Sequence, residues 1–350
     1  MNPSNPATTW RNFALSLLGS FVGGLAMLYG AILLIDPYDV LPFSPNWQRF
    51  PVSRHARDYN AILARRPQYD SAVIGNSTAM LLPPQALNRA LGGRFVMLAM
   101  PAASPYEQRL LLALFLRHHA APSTLLIGLD ASWCHAQGAP RFQGLMRDHP
   151  FPDWLYDENP WNDLPPLNVQ TFKVARRQFQ ALIGWRIRYP HKPDGYWDFT
   201  DALYERNDPQ AVHERLYSGH RRLLKLGPDG APPRFPDLNR LETLLHRVPE
   251  QTRKILFFAP AHYLQIPAAD TEQGQAWQQC KARAGALADG LSRALVVDFH
   301  RLSPITRTDA NFIDDQHYVR SVALQLIQSL AQAWAGKDAG EAWRVLGRSP

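Results

Sequence analysis

YDSAVIGNST (Tyr69–Thr78) is a short apolar run carrying β-branched Val73 and Ile74 that stops on a Gly-Asn-Ser-Thr turn. A run of this length, closed by turn residues, reads as a strand. Its apolar residues follow one another without polar alternation, as expected for a strand covered on both faces. Four similar runs follow: Arg94–Ala99 (RFVMLA), Thr124–Leu129 (TLLIGL), Lys254–Ala259 (KILFFA) and Ala294–Phe299 (ALVVDF). Helical patterns lie around them, at Ser53–Arg66, Tyr106–His119, Trp277–Leu291 and Tyr318–Ala335. Apolar strands alternating with helices predict an α/β domain built on a five-stranded parallel sheet.

Upstream, FALSLLGSFVGGLAMLYGAILLI (Phe13–Ile35) carries no charge. At about 1.5 Å per residue it is long enough for a hydrocarbon core of about 30 Å. It ends on Asp36-Pro37-Tyr38-Asp39, a poor cleavage site, so the run reads as an uncleaved anchor in an inner membrane. Arg11 is the only basic residue before the span, and the first charges after it are acidic. That asymmetry predicts a cytoplasmic N-terminus and a domain on the periplasmic side. The expected order is cytoplasmic residues 1–12, anchor 13–35, connector 36–52, α/β domain 53–340 and tail 341–350.

The third and fourth strands are separated by an insertion, 131–253, that holds five of the ten tryptophans: Trp133, Trp154, Trp161, Trp185 and Trp197. Helical patterns occur within it near Val169–Ile183 and Pro209–Leu226. Leaving the carboxyl end of a strand, it is placed to form a rim around a ligand, with Trp133 or Trp161 offering a face to a sugar. The formal charge of +7 sits in scattered arginines, and no zinc-finger spacing, recognition-helix pattern or RNA-binding motif accompanies it, which argues against a nucleic-acid partner. No cluster has metal-ligand spacing, and Gly92-Gly93 lacks the residues of a phosphate loop, so no metal or cofactor is expected. Cys134 and Cys280 form no CxxC pair; an oxidising compartment would permit a bridge, and spacing alone does not say whether they meet.

Chemistry concentrates at two places. Ser77 follows the first strand, where the start of the next helical segment would aim backbone N–H groups at it. Asn311-Phe312-Ile313-Asp314-Asp315-Gln316-His317-Tyr318 follows the last strand. Three residues apart on a turn, Asp314 can orient the imidazole of His317 while its second nitrogen faces outward. A serine hydroxyl is a weak nucleophile near neutral pH and needs such a base. Asp130 and His135 after the third strand, and His262 and Tyr263 after the fourth, are further candidates at the same edge.

A serine after strand one and Asp-x-x-His after strand five resembles the SGNH (GDSL-like) hydrolase superfamily, in outline from about Tyr69 to Leu330. The plan is similar to the anchored SGNH-like proteins of bacterial envelopes, some of which transfer acetyl groups to exopolysaccharide while others have no known activity. The resemblance implies a flavodoxin-like, three-layer α/β/α domain. It further implies Ser77 as nucleophile, His317 as general base and Asp314 as its orienting carboxylate, with Asp315 the alternative. The implied function is an esterase or O-acyltransferase acting on envelope carbohydrate or lipid; its rival is an inactive scaffold binding polysaccharide or assembly proteins. A transferase would need a membrane partner to bring acyl groups across. The chain departs from the family's pattern in three blocks. The first reads Gly75-Asn76-Ser77 rather than Gly-Asp-Ser. The second, Met100–Pro105, has no glycine, leaving Ala102 or Ala103 as the backbone donor. The third, Gly128-Leu129-Asp130-Ala131, has no asparagine, leaving Asn76 as a substitute amide.

Overall fold

The computed structural model describes residues 6–53, 55–141, 151–159, 164–185, 192–200, 209–217, 223–226, 233–337 and 340–350. The chain divides into two compact units, Met1–Ser53 with Glu158–Tyr189, and Arg54–Asp157 with Pro190–Pro350.

The larger unit is α/β. Its strands are β1 (Ser71–Ile74), β2 (Phe95–Met97), β3 (Thr124–Leu129), β4 (Arg253–Phe258), β5 (Ala294–Asp298) and β6 (Arg344–Arg348), in the order β2-β1-β3-β4-β5-β6. The first five are parallel, and β6 pairs antiparallel with β5. The expected five-stranded parallel sheet is therefore corrected to six strands, the sixth formed by residues read as a tail. Arg344-Val-Leu-Gly-Arg348 is short, charged at both ends and only partly buried, which suits an edge strand and hides it from a search for long apolar runs. It closes against the helix Glu272–Ala286: a Cβ added at Gly347 would lie 2.0 Å from the Gly285 carbonyl oxygen, so the two backbones meet there.

The parallel strands are buried at both alternations, as their unbroken apolar runs require. Val73, Leu126, Phe257 and Val297 share one core with Leu87 of the helix Pro84–Leu91 and Val322 and Leu326 of the C-terminal helix Arg320–Trp334. The intervening side chains, Ile74, Ile127, Leu256 and Val296 among them, are buried as well. The helices Ala56–Ala64, Pro105–His118, Pro236–Leu245 and Glu272–Ala286 complete this unit's main framework. Pro105–His118 starts on a capping box, in which the Ser104 hydroxyl accepts the Glu107 N–H and the Glu107 carboxylate accepts the Ser104 N–H. The same carboxylate holds buried Arg57 through two bonds of 2.8 and 2.9 Å.

The smaller unit contains α1 (Pro6–Ile35), the connector that follows it and the helix Val169–Leu182. From Thr9 to Ile35, α1 is long and apolar enough to cross a membrane. The connector folds into a knot at its end. Asp36 turns with φ +46° and accepts the N–H groups of Val40 and Leu41 and the Ser44 hydroxyl. Buried Arg49 donates to the carbonyls of Ile35 and Asp36, capping the helix's exposed acceptors with a cation where the helix dipole favours one.

Candidate active site

β1 delivers Ser77 to the carboxyl edge on a tight turn. A Cβ at Gly75 would lie 2.5 Å from the Ala79 Cβ and 3.5 Å from the Gly128 Cα, so the turn can fold over β3 only because residue 75 has no side chain. Asn76 Oδ1 accepts both the N–H and the hydroxyl of Thr78, at 3.0 and 2.8 Å, closing an Asx turn that leaves Ser77 at its apex.

The loop before the last helix brings the partners. His317 Nε2 lies 2.8 Å from Ser77 Oγ, across 240 residues of sequence. His317 Nδ1 lies 2.7 Å from Asp314 Oδ2, while Asp314 Oδ1 accepts the N–H groups of Gln316 and His317 at 2.9 and 2.7 Å. Burial alone would raise the Asp314 pKa, but its hydrogen bonds and the adjacent imidazole outweigh that and hold it down to about 2. The carboxylate is thus ionised near neutral pH. Asp315 faces elsewhere, accepting from the Gln265 side chain at 2.8 Å, so Asp314 is the one that meets the imidazole. The two loops are also clasped by the next residue along: the buried Tyr318 hydroxyl donates to the Thr78 carbonyl at 2.6 Å. Phe199 meets the His317 ring edge-on at 5.3 Å between centroids.

Ser77 and His317 open into a cavity of about 570 Å³. Its wall is mostly apolar, with Trp197, Phe199, Leu129, Phe258 and Trp277 among its residues. His300, stacked on Trp277 at 4.6 Å, forms part of its wall beside the buried Lys281–Asp298 pair at 2.9 Å. Burial and the Lys281 charge push the His300 pKa down to about 3, so this ring is neutral near pH 7. Cys134 and Cys280 are joined, which fastens the turn after β3 to the helix carrying Trp277.

The remaining sequence candidates separate. Ala102 lines the cavity and adopts φ +49°, the left-handed conformation that a glycine would take without strain. Among the described residues, the N–H groups of Ala102 and Ser77 meet no acceptor, leaving both free to donate. Ala103 is corrected: it is fully buried, and its N–H is spent on the Met100 carbonyl at 3.2 Å. Asn76 lines the cavity, and one N–H of its Nδ2 donates to Asp130 Oδ2. Asp130 lines the cavity but also caps the following turn, accepting the Ser132 N–H at 2.6 Å. His135 reaches the wall, its Nδ1 accepting the Lys225 N–H at 2.9 Å. His262 is corrected as a substrate contact: it is buried, 3.1 Å from Asp309, and absent from the cavity wall. Trp133 is likewise buried away from the wall, and Trp161 lies outside the described residues. The insertion does supply the rim, but through Trp197 and Phe199, which no periodicity in their short segment marks out. No protein-family model matches the chain, and no curated protein is similar enough to it to register as a relative.

Proposed function

We propose that this protein is a membrane-anchored serine esterase or O-acyltransferase of SGNH type, acting outside the cytoplasm on an acyl ester of envelope carbohydrate or lipid. The observation that carries the reading is the continuous chain Ser77 Oγ–His317–Asp314, with both contacts between 2.7 and 2.8 Å. In the reaction, Ser77 Oγ attacks the ester carbonyl while His317 Nε2 takes its proton and Asp314 stabilises the imidazolium. The carbonyl oxygen gathers negative charge against the N–H groups of Ser77 and Ala102. Collapse expels the alcohol, which recovers the proton from His317, and leaves an acyl-serine. Water or a sugar hydroxyl, deprotonated by the same imidazole, then attacks the acyl carbon and releases Ser77. The largely apolar cavity suits the acyl group of the ester. The flavodoxin-like, three-layer arrangement is supported by the strand order 2-1-3-4-5 of the parallel part. An outward-facing domain is supported by the Cys134–Cys280 bridge, a bond kept in oxidising compartments.

One observation favours the rival, an inactive scaffold. The family's asparagine donor is replaced by Asp130, and the amide of Asn76 donates to that carboxylate. Loss of one such donor lowers turnover by about 10²–10³. The full-length protein in lipid nanodiscs, treated with a fluorophosphonate and with a small acetyl ester, decides between them. Labelling at Ser77, and an ester turnover that Ser77→Ala lowers by roughly 10³ without loss of folding, is expected. No labelling of the folded protein would overturn the enzyme and leave the scaffold.

A further inference from the structure

The helix Val169–Leu182 of the smaller unit has three faces rather than two. Thr171, Val174, Ala175 and Gln178 are buried. They lie against the connector: Gln178 Nε2 donates to the Phe50 carbonyl at 2.7 Å, and the Thr171 hydroxyl lies 3.4 Å from that of Tyr38. A polar strip follows, Gln170, Lys173, Arg177 and Gln180. The third face is apolar and exposed. Val169, Phe172, Phe179 and the following Ile183 recur at helical spacing and are 45–69 % accessible, with only Arg176 among them. A helix whose inner face is already satisfied has no reason in water to carry a second apolar stripe.

We infer that this stripe lies in the membrane interface on the domain's side, buried in the headgroup–acyl boundary next to the anchor. The inference rests on the anchor reading of α1. Three observations select lipid as the occupant. The helix belongs to the same compact unit as α1 and contacts it. The Tyr29 hydroxyl donates to the Pro165 carbonyl at 3.0 Å, tying the segment just before the helix to a point six residues inside the end of α1. Six residues are about 9 Å along the axis, a depth at which amphipathic helices rest in a leaflet. Finally, among the described residues outside α1, nine large apolar side chains are exposed in the anchor's unit, against four in the far larger α/β unit. Lys173 beside the stripe and Arg176 within it can extend their cations to lipid phosphates.

Because both native cysteines are bridged, one added cysteine gives one spin label in the full-length protein. Labels at Leu25→Cys, Phe179→Cys, Ile183→Cys and Leu302→Cys, in phosphatidylglycerol-containing nanodiscs, are compared by collision with oxygen and with a water-soluble nickel chelate. Phe179 and Ile183 are expected to shift to the oxygen-favouring side with Leu25, while Leu302 stays nickel-accessible. Nickel accessibility at Phe179 and Ile183 with Leu25 in lipid overturns the inference and spares the anchor. Nickel accessibility at Leu25 overturns both. Labels at Phe179 and Ile183 closed to both reagents would mean that protein covers the stripe, and overturn it too.

Discussion

Ala102 carries a cost that its position explains. An L-residue at φ +49° is strained by roughly 1–2 kcal/mol, and the fold retains it where Ala102 lines the cavity that Ser77 also lines, the place the proposed reaction needs a backbone donor. Ala102→Gly should relieve that strain, offset in part by the greater freedom of glycine in the unfolded chain, for a net gain of about 0.5–1 kcal/mol. Turnover should be retained, since the N–H remains; a lower thermal midpoint would contradict this account. His300 supplies the pH counterpart. Its pKa falls from 6.5 in the unfolded chain to about 3 when folded, because burial and Lys281 disfavour its cation. A group depressed on folding stabilises above its unfolded pKa and withdraws that stability as pH falls. The His300 site alone should therefore withdraw roughly a few kcal/mol as pH falls from about 6.5 to 3. His300→Phe keeps the stack on Trp277 and removes this proton-binding site, so the pH dependence of denaturant unfolding across that window should become shallower than in the parent protein, and an unchanged slope would contradict this account.

At the scale of elements, the parallel strands were legible because each is a solid apolar run, and β3 matches its expected bounds of Thr124–Leu129 residue for residue. The meeting of Ser77 with Asp314 and His317 was legible from their places in the chain, after β1 and after β5, since parallel strands end at one edge of the sheet. β6 escaped because an edge strand needs apolar residues on little of its surface. The Cys134–Cys280 contact escaped because a separation of 146 residues leaves no local trace. The turn of Asn76 toward Asp130 is a choice between two hydrogen-bonding schemes that spacing does not rank. The bridge itself has a measurable weight. Closing so long a loop restricts the unfolded chain, and its removal by Cys134→Ser with Cys280→Ser should cost about 2–5 kcal/mol, read as a shift in the urea midpoint. An unchanged midpoint would mean the reduced chain is already restrained there.

At the scale of the molecule, the proposed topology rests on charge. With Arg11 preceding the uncharged run Phe13–Ile35 of α1 and acidic residues following it, the α/β unit is expected on the far side of the membrane. A phosphatase reporter fused after Pro350, active only outside the cytoplasm, should be active; fluorescence from a reporter that matures only inside would reverse the assignment.

The bridge between the turn after β3 and the helix bearing Trp277 also gives the cavity an assembly history. One side of the cavity is riveted only after two electrons have left the polypeptide, and a reducing cytosol does not take them. On the proposed outward orientation, a chain still waiting to cross the membrane would hold Ser77, His317 and Asp314 but an unfastened wall. Under that proposal, export and maturation of the cavity become one event. A mild reductant, applied well below the unfolding midpoint, should accordingly lower fluorophosphonate labelling of Ser77 before it alters the secondary structure.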